Sequence, residues 1–179
     1  MKLHYFLISL LFIAAFFSTN VSAAGIETID SGDVVGVIQD ENGNTVETVT
    51  RNSIYISGDE PYLLQPGQKF RSYQYYVSSA FAAGFYFSPE TDANRMVKIR
   101  IEKASAVGNN ETLVLERSFS TSESNNIASP YYFNETDGPG GYSGIVLDPL
   151  IDTTKPYYRA TFTNTSSNPL NICLFIGAD

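Results

Sequence analysis

After residue 24, short apolar stretches alternate with turn signals and no run keeps a helical period, which predicts an all-β chain. The clearest strand is 96–103, where Val97, Ile99 and Ile101 alternate with Lys98, Arg100 and Glu102, giving one apolar and one wet face. Residues 33–39 and 45–49 flank Asp40-Glu41-Asn42-Gly43-Asn44, whose Asn-Gly pair suits the positive φ angles of a hairpin turn. Further strands are predicted at 53–57, at 69–77 as one long aromatic-rich element, at 81–88 and at 112–119, the last pairing with 96–103 through Gly108-Asn109-Asn110. Proline and glycine at 58–61 and 65–67 break the chain before the long strand. Residues 121–129 and the glycine-rich 135–144 read as loops around a brief strand at 131–133. Strands at 145–147, 157–163 and 170–176 follow, with 164–169 as the final turn. Roughly nine or ten short strands separated by turns predict a two-sheet antiparallel β-sandwich, jelly-roll-like in style.

The N-terminal segment breaks this pattern. Lys2, an apolar run over 5–17 and Val21-Ser22-Ala23 have the three-part form of a secretory signal peptide over 1–23. The run is too short for a membrane span, which needs roughly 20 apolar residues, so cleavage is favoured over an uncleaved anchor. The expectation is a secreted protein with one domain over 24–179 and no membrane contact after cleavage.

Charge narrows the partners. There are 19 Asp and Glu against 11 Lys and Arg, a net charge of −8, and loss of Lys2 with the leader makes the balance more negative. Such a surface repels phosphate backbones and anionic lipid. No basic cluster offsets it, because Arg95, Lys98, Arg100 and Lys103 are spread along one strand. No nucleic-acid partner is expected.

Absent side chains narrow the chemistry further. The only histidine, His4, lies in the leader, so no imidazole remains for a Ser-His-Asp triad or a Cys-His pair. Zinc would need Cys or His in numbers the chain lacks. Gly138-Pro139-Gly140-Gly141 leads into Tyr142 and Ser143, without the Lys of a phosphate-binding loop. Cys173 stands alone and cannot form an internal disulfide; it reads as a small buried hydrophobe in 171–176, where Ile172, Leu174 and Ile176 share one face and Cys173 and Phe175 the other.

Carboxylate chemistry survives. A glycoside hydrolase needs two carboxyl groups roughly 5 to 10 Å apart. Glu135 and Asp137 beside Tyr131, Tyr132 and Tyr142 form the best ligand-binding neighbourhood, against the plainer reading of a solvated acidic turn. Calcium is the one cofactor suggested: Asp40, Asn42 and Asn44 present oxygens at alternate positions with Gly43 in the turn. The twelfth position of that loop is Arg51 where an EF-hand has Glu, so an ordinary hairpin turn competes. Asp148 and Asp152 make a second acidic neighbourhood.

Three Tyr-Tyr pairs, at 75–76, 131–132 and 157–158, should each place one ring inward and one outward if they lie on strands. Outward tyrosines stack on sugars or support protein contacts. Asn110, Asn134 and Asn164 begin Asn-x-Ser/Thr triplets in predicted turns or loops. Together these features favour a non-enzymatic exported sandwich that binds an envelope glycan or an extracellular protein by its surface. A self-associating structural component is the alternative, and a carboxylate-based hydrolase a third.

Overall fold

The computed structural model describes residues 34–50, 62–87, 94–121, 132–137, 140–147 and 151–178; the segment 1–23 read as a leader, the strand expected over 53–57, Tyr131 and Asp148 lie outside them. Twelve strands and no helix form among the described residues: β1 (Val34–Gln39), β2 (Thr45–Thr50), β3 (Tyr62–Leu64), β4 (Lys69–Ser72), β5 (Tyr75–Tyr76), β6 (Phe81–Phe87), β7 (Met96–Ala104), β8 (Thr112–Ser120), β9 (Tyr132–Asp137), β10 (Gly140–Val146), β11 (Tyr157–Asn164) and β12 (Leu170–Ala178). None of them offers a helix long and apolar enough to cross a membrane.

All pairings are antiparallel and fall into two sheets. One has seven strands, in the order β2-β1-β4-β11-β7-β8 with β5 also on β11; the other has five, β3-β12-β6-β10-β9. Alternation explains the layering. On β7, Val97, Ile99 and Ile101 are fully buried, as are Tyr158, Ala160 and Phe162 on β11. From the other sheet, Leu64, Phe81, Phe85, Ile145, Leu170 and Leu174 join the same core. Rings interlock across the layers: Phe81 meets Tyr158 at 5.7 Å, Phe85 meets Phe119 edge-on at 6.3 Å, and Tyr62 stacks on Phe70 at 6.2 Å. The all-β sandwich is thus built by inward-facing residues of two sheets.

Two local readings need correction, and one strand was not expected. The strand expected over 69–77 is broken, because the β4–β5 side carries one extra residue opposite β11: Arg71 pairs with Thr161 but Tyr75 with Tyr158. Ser72 stabilises this bulge; its buried hydroxyl donates to the Tyr73 carbonyl and accepts from the Ala160 N–H, replacing a missing backbone acceptor. Next, 135–137 and 140–144 are not loop but strand, belonging to β9 and β10, which pair with each other while β10 also pairs with β6. Finally, β3 is a strand that three residues alone do not announce.

Asn164 also departs from its predicted role in a turn. It ends β11 and is fully buried. Its N–H donates to the Gln68 carbonyl and its C=O accepts from Gly67, so the turn carrying the chain from β3 to β4, between sheets, is docked on it. Its side-chain Nδ2, the atom a glycan would use, donates at 2.9 Å to the carbonyls of both Leu64 and Asn168. Asn110, by contrast, is exposed in the β7–β8 turn.

Tyr62 supplies a pH-dependent element of stability. Burial first, and the charge of Glu47 second, push its hydroxyl from near 10 up to about 12. A raised folded value means that the contribution is complete below pH 10 and is lost as pH rises towards 12, where the unfolded chain has already released the proton. Denaturation of wild type and Tyr62→Phe across this range should show wild type losing stability relative to the variant; parallel curves would contradict the assignment.

Candidate functional site

The described residues singled out in the sequence fall in three places. Asp40, Asn42 and Asn44 form the β1–β2 hairpin turn, with Gly43 at φ +88°. The Asp40 carboxylate accepts from the side-chain and the backbone N–H of Asn44, both at 2.8 Å, and these bonds hold its pKa below the ordinary carboxylate value. Each oxygen therefore already serves the turn. Among the described residues, no three His, Cys, Asp or Glu side chains gather closely enough to hold a metal ion.

A second group lies on the β9–β10 hairpin. Tyr142 stands opposite Glu135 on one side and Tyr86 on the other, while Asp137 pairs with Gly140. Tyr132 pairs instead with Ile145, which is fully buried. Opposed residues share a face and neighbours alternate. Glu135, Asp137 and Tyr142 therefore hold register positions on the outer face, and Tyr132 one on the core side.

Asp152 lies in the loop before β11. Its carboxylate accepts from the Thr154 hydroxyl at 2.6 Å, from Lys103 Nζ at 2.9 Å and from the Thr154 N–H at 3.0 Å, which hold its pKa far below the usual range. Its own N–H donates to the hydroxyl of buried Tyr158 at 2.8 Å. These bonds set the position of β11, whose outer residues contribute to the most distinctive surface of the molecule.

That surface is the outer face of the seven-stranded sheet. Lys-x-Arg occurs at Lys69–Arg71 on β4 and at Lys98–Arg100 on β7, with an apolar residue between each pair pointing to the core. Pairing through β11 aligns them. One row across the strands reads Gln39, Lys69, Thr163, Lys98, Ser118; the next reads Val37, Arg71, Thr161, Arg100, Glu116. The chain does have a cationic cluster after all, because strands distant in sequence assemble it.

Three carboxylates meet these cations. Glu111 reaches back from the β7–β8 turn to Arg71 at 2.5 Å, to Arg159 at 3.1 Å and to the Gln74 side chain at 2.7 Å. Gln74 in turn accepts from the Gly108 N–H at 2.9 Å, which pins the turn onto the sheet. Arg100 pairs with Glu102 at 2.9 Å and Glu116 at 3.4 Å, and Lys98 approaches Glu116 only to 3.7 Å. Burial, then the neighbouring charge of Arg71, depress the pKa of Arg159, opposed by Glu111 and Glu102. Lys69 has no ion-pair partner among the described residues.

At one end this face becomes aromatic. Tyr76 and Tyr157 are direct cross-strand partners whose rings meet edge to face at 5.7 Å, and Tyr76 is 63% exposed. Their sequence neighbours behave oppositely: Tyr158 is fully buried and Tyr75 packs against the core. Beside the β7–β8 turn, Ser105, Gly108, Asn109, Asn110 and Lys155 line an open depression of about 410 Å³.

The five-stranded sheet differs. Its strands β6, β10 and β12 contain no charged residue. Ala82, Tyr86, Cys173 and Phe175 are half-buried on the outer side, and the Tyr86 and Phe175 rings lie 5.4 Å apart. Cys173 is thus not a core residue; the core side of β12 belongs to Leu170 and Leu174. Comparison of the chain with protein-family models, with curated proteins and with solved structures gives no match.

Proposed function

We propose that this is an exported, non-enzymatic binding protein that holds an envelope glycan on the outer face of its seven-stranded sheet. The observation that carries the reading is the Tyr76–Tyr157 pair, exposed at Tyr76 and half-buried at Tyr157, at the end of a face otherwise lined by hydroxyl, amide and charged groups. Sugar recognition combines flat apolar bodies for stacking with nearby hydrogen-bonding groups, and tyrosine supplies both. A sheet face also holds such groups at fixed spacing without rearrangement on binding. Export enters through the leader-like segment at 1–23.

Retention on purified envelope polysaccharide tests this. Removing both rings with Tyr76→Ala and Tyr157→Ala should weaken retention roughly 30-fold, at about 1 kcal/mol per stacked ring. Tyr86→Ala, on the opposite sheet, should leave it unchanged. Equal retention of the double variant and wild type would remove this face as the binding surface.

Self-association is a second reading, favoured by the uncharged strands of the five-stranded sheet, whose outer face includes the register positions of Tyr142 and Glu135. Light scattering on concentrated protein distinguishes it: dimers that vanish with Ala82→Lys support this reading, and a strict monomer contradicts it.

A further inference from the structure

Resting on the glycan reading of the same face, we infer that its ligand is an anionic polysaccharide, whose carboxylate or phosphate groups are held by a grid of four cations, Lys69, Arg71, Lys98 and Arg100, set around Thr161 and Thr163. The grid follows from register. Lys69 and Lys98 lie on either side of Thr163, and Arg71 and Arg100 on either side of Thr161. Adjacent strands are about 4.8 Å apart, so the cations of a row stand roughly 10 Å apart at the backbone. The two rows are separated by about 7 Å along the strands. Long flexible side chains allow both lysines to converge on one anion above Thr163.

Local charge favours such a ligand. Arg71 and Arg159 share Glu111, Arg100 takes Glu102 and one oxygen of Glu116, and Lys98 reaches the other oxygen of Glu116 at 3.7 Å, so Lys69 is the grid cation left without a carboxylate among the described residues. The row of Gln39, Lys69, Thr163, Lys98 and Ser118 contains no carboxylate. Two lysines roughly 10 Å apart lie within about a Debye length of each other, so their repulsion is not fully screened and a bound anion would relieve it. This happens in a chain whose net charge is −8. The acidity elsewhere argues against a long nucleic-acid backbone, which would be repelled wherever it extended past the grid. A glycan chain laid along the face, with hydroxyls for the half-buried Thr163 and a ring for the tyrosine end, fits the same surface without that penalty, while Thr161 is buried between the arginine strands.

Affinity electrophoresis of the full secreted chain separates the possibilities. The gels would contain polygalacturonate as a carboxylate polymer, phosphomannan as a phosphate polymer, their neutral counterparts methyl-esterified pectin and mannan, or duplex DNA. Wild type should be retarded by one of the acidic polymers and much less by its neutral counterpart, and the retarding polymer identifies the anion. Lys69→Gln with Lys98→Gln should weaken that retardation at least tenfold and flatten its salt dependence. Arg117→Gln with Arg95→Gln, an equal change in charge away from the grid and from the tyrosine end, should not. Thermal midpoints near wild type would show that both double variants are folded.

The inference is overturned if the lysine pair has no more effect than the control pair, if neutral polymers retard equally, or if DNA is bound as strongly as any glycan. In the first two cases, weakened binding by the Tyr76→Ala and Tyr157→Ala variant would leave the glycan reading standing while the charge inference falls. Loss of retardation in every glycan gel would remove both.

Discussion

Replacing Asn164 with alanine is expected to destabilise the protein by about 3 kcal/mol, the largest effect foreseen for a single polar side chain. An asparagine has two donors and two acceptor lone pairs, and here all four are used. Nδ2 donates to the Leu64 and Asn168 carbonyls, while Oδ1 accepts from the N–H of Ser166 at 3.0 Å and from its hydroxyl at 2.5 Å. Leu64 is fully buried and belongs to the five-stranded sheet, so one of these bonds ties the two sheets together where the chain crosses between them. Water reaches the exposed Asn168 end more readily than the Leu64 end, which limits the cost to roughly one unsatisfied buried acceptor plus the lost bonds. For a domain of this size the melting temperature should fall by about 6 to 12 °C. Asn164→Asp keeps the shape but faces two carbonyl oxygens with a carboxylate oxygen, and it should do no better than alanine. If it retained wild-type stability, the hydrogen-bond account would fail.

Enlarging Gly84 should be comparably damaging, by packing alone. This residue lies mid-strand on β6, opposite Gly144 on one side and Phe175 on the other. An added β-carbon would overlap the Phe175 ring and come within 2.6 Å of the Ser143 carbonyl oxygen. The ring can turn away, but the carbonyl belongs to a paired strand and cannot. Gly84→Ala is therefore expected to cost about 3 kcal/mol, at the upper end for overpacking, and Gly84→Val to prevent accumulation of folded protein. Adding Phe175→Ala to Gly84→Ala should restore part of the loss, because it removes one of the two obstructions. A Gly84→Ala protein within about 0.5 kcal/mol of wild type would show that this part of the five-stranded sheet is less tightly packed than described.

Strands with strong alternation were legible from the chain, and those defined by their neighbours were not. β7 was recognisable to within a residue, since Val97, Ile99 and Ile101 each faced a charged neighbour, and the Asn42-Gly43 turn announced the first hairpin. The β9–β10 hairpin was hidden because glycine disfavours strands locally. Its stability comes from pairing with β6, where Gly84 and Gly144 lie directly opposite each other. The break at Ser72 was equally invisible, since it depends on the N–H of Ala160, far away in sequence.

The same reasoning explains what was missed at the surface. Read singly, Lys69–Arg71 and Lys98–Arg100 look like ordinary solvated strand faces; only β11 between them brings the cations together. A repeated Lys-x-Arg with an apolar centre was the available signal, yet sequence alone did not pair the two copies. The tyrosine doublets were informative about burial, but the outward rings that matter for the proposed function are those of exposed Tyr76 and half-buried Tyr157, while Tyr132 of the favoured doublet sits opposite buried Ile145.

The central claim, that the outer face of the seven-stranded sheet is a glycan-binding surface, is tested most directly by following backbone amide NMR shifts during titration with fragments of the polysaccharide that retains the protein. The account predicts saturable shifts on β4, β7 and β11, centred on Arg71, Arg100, Thr161 and Thr163 and extending to Tyr76 and Tyr157. Shifts confined to β6, β10 and β12, or none at fragment concentrations that saturate retention, would contradict it.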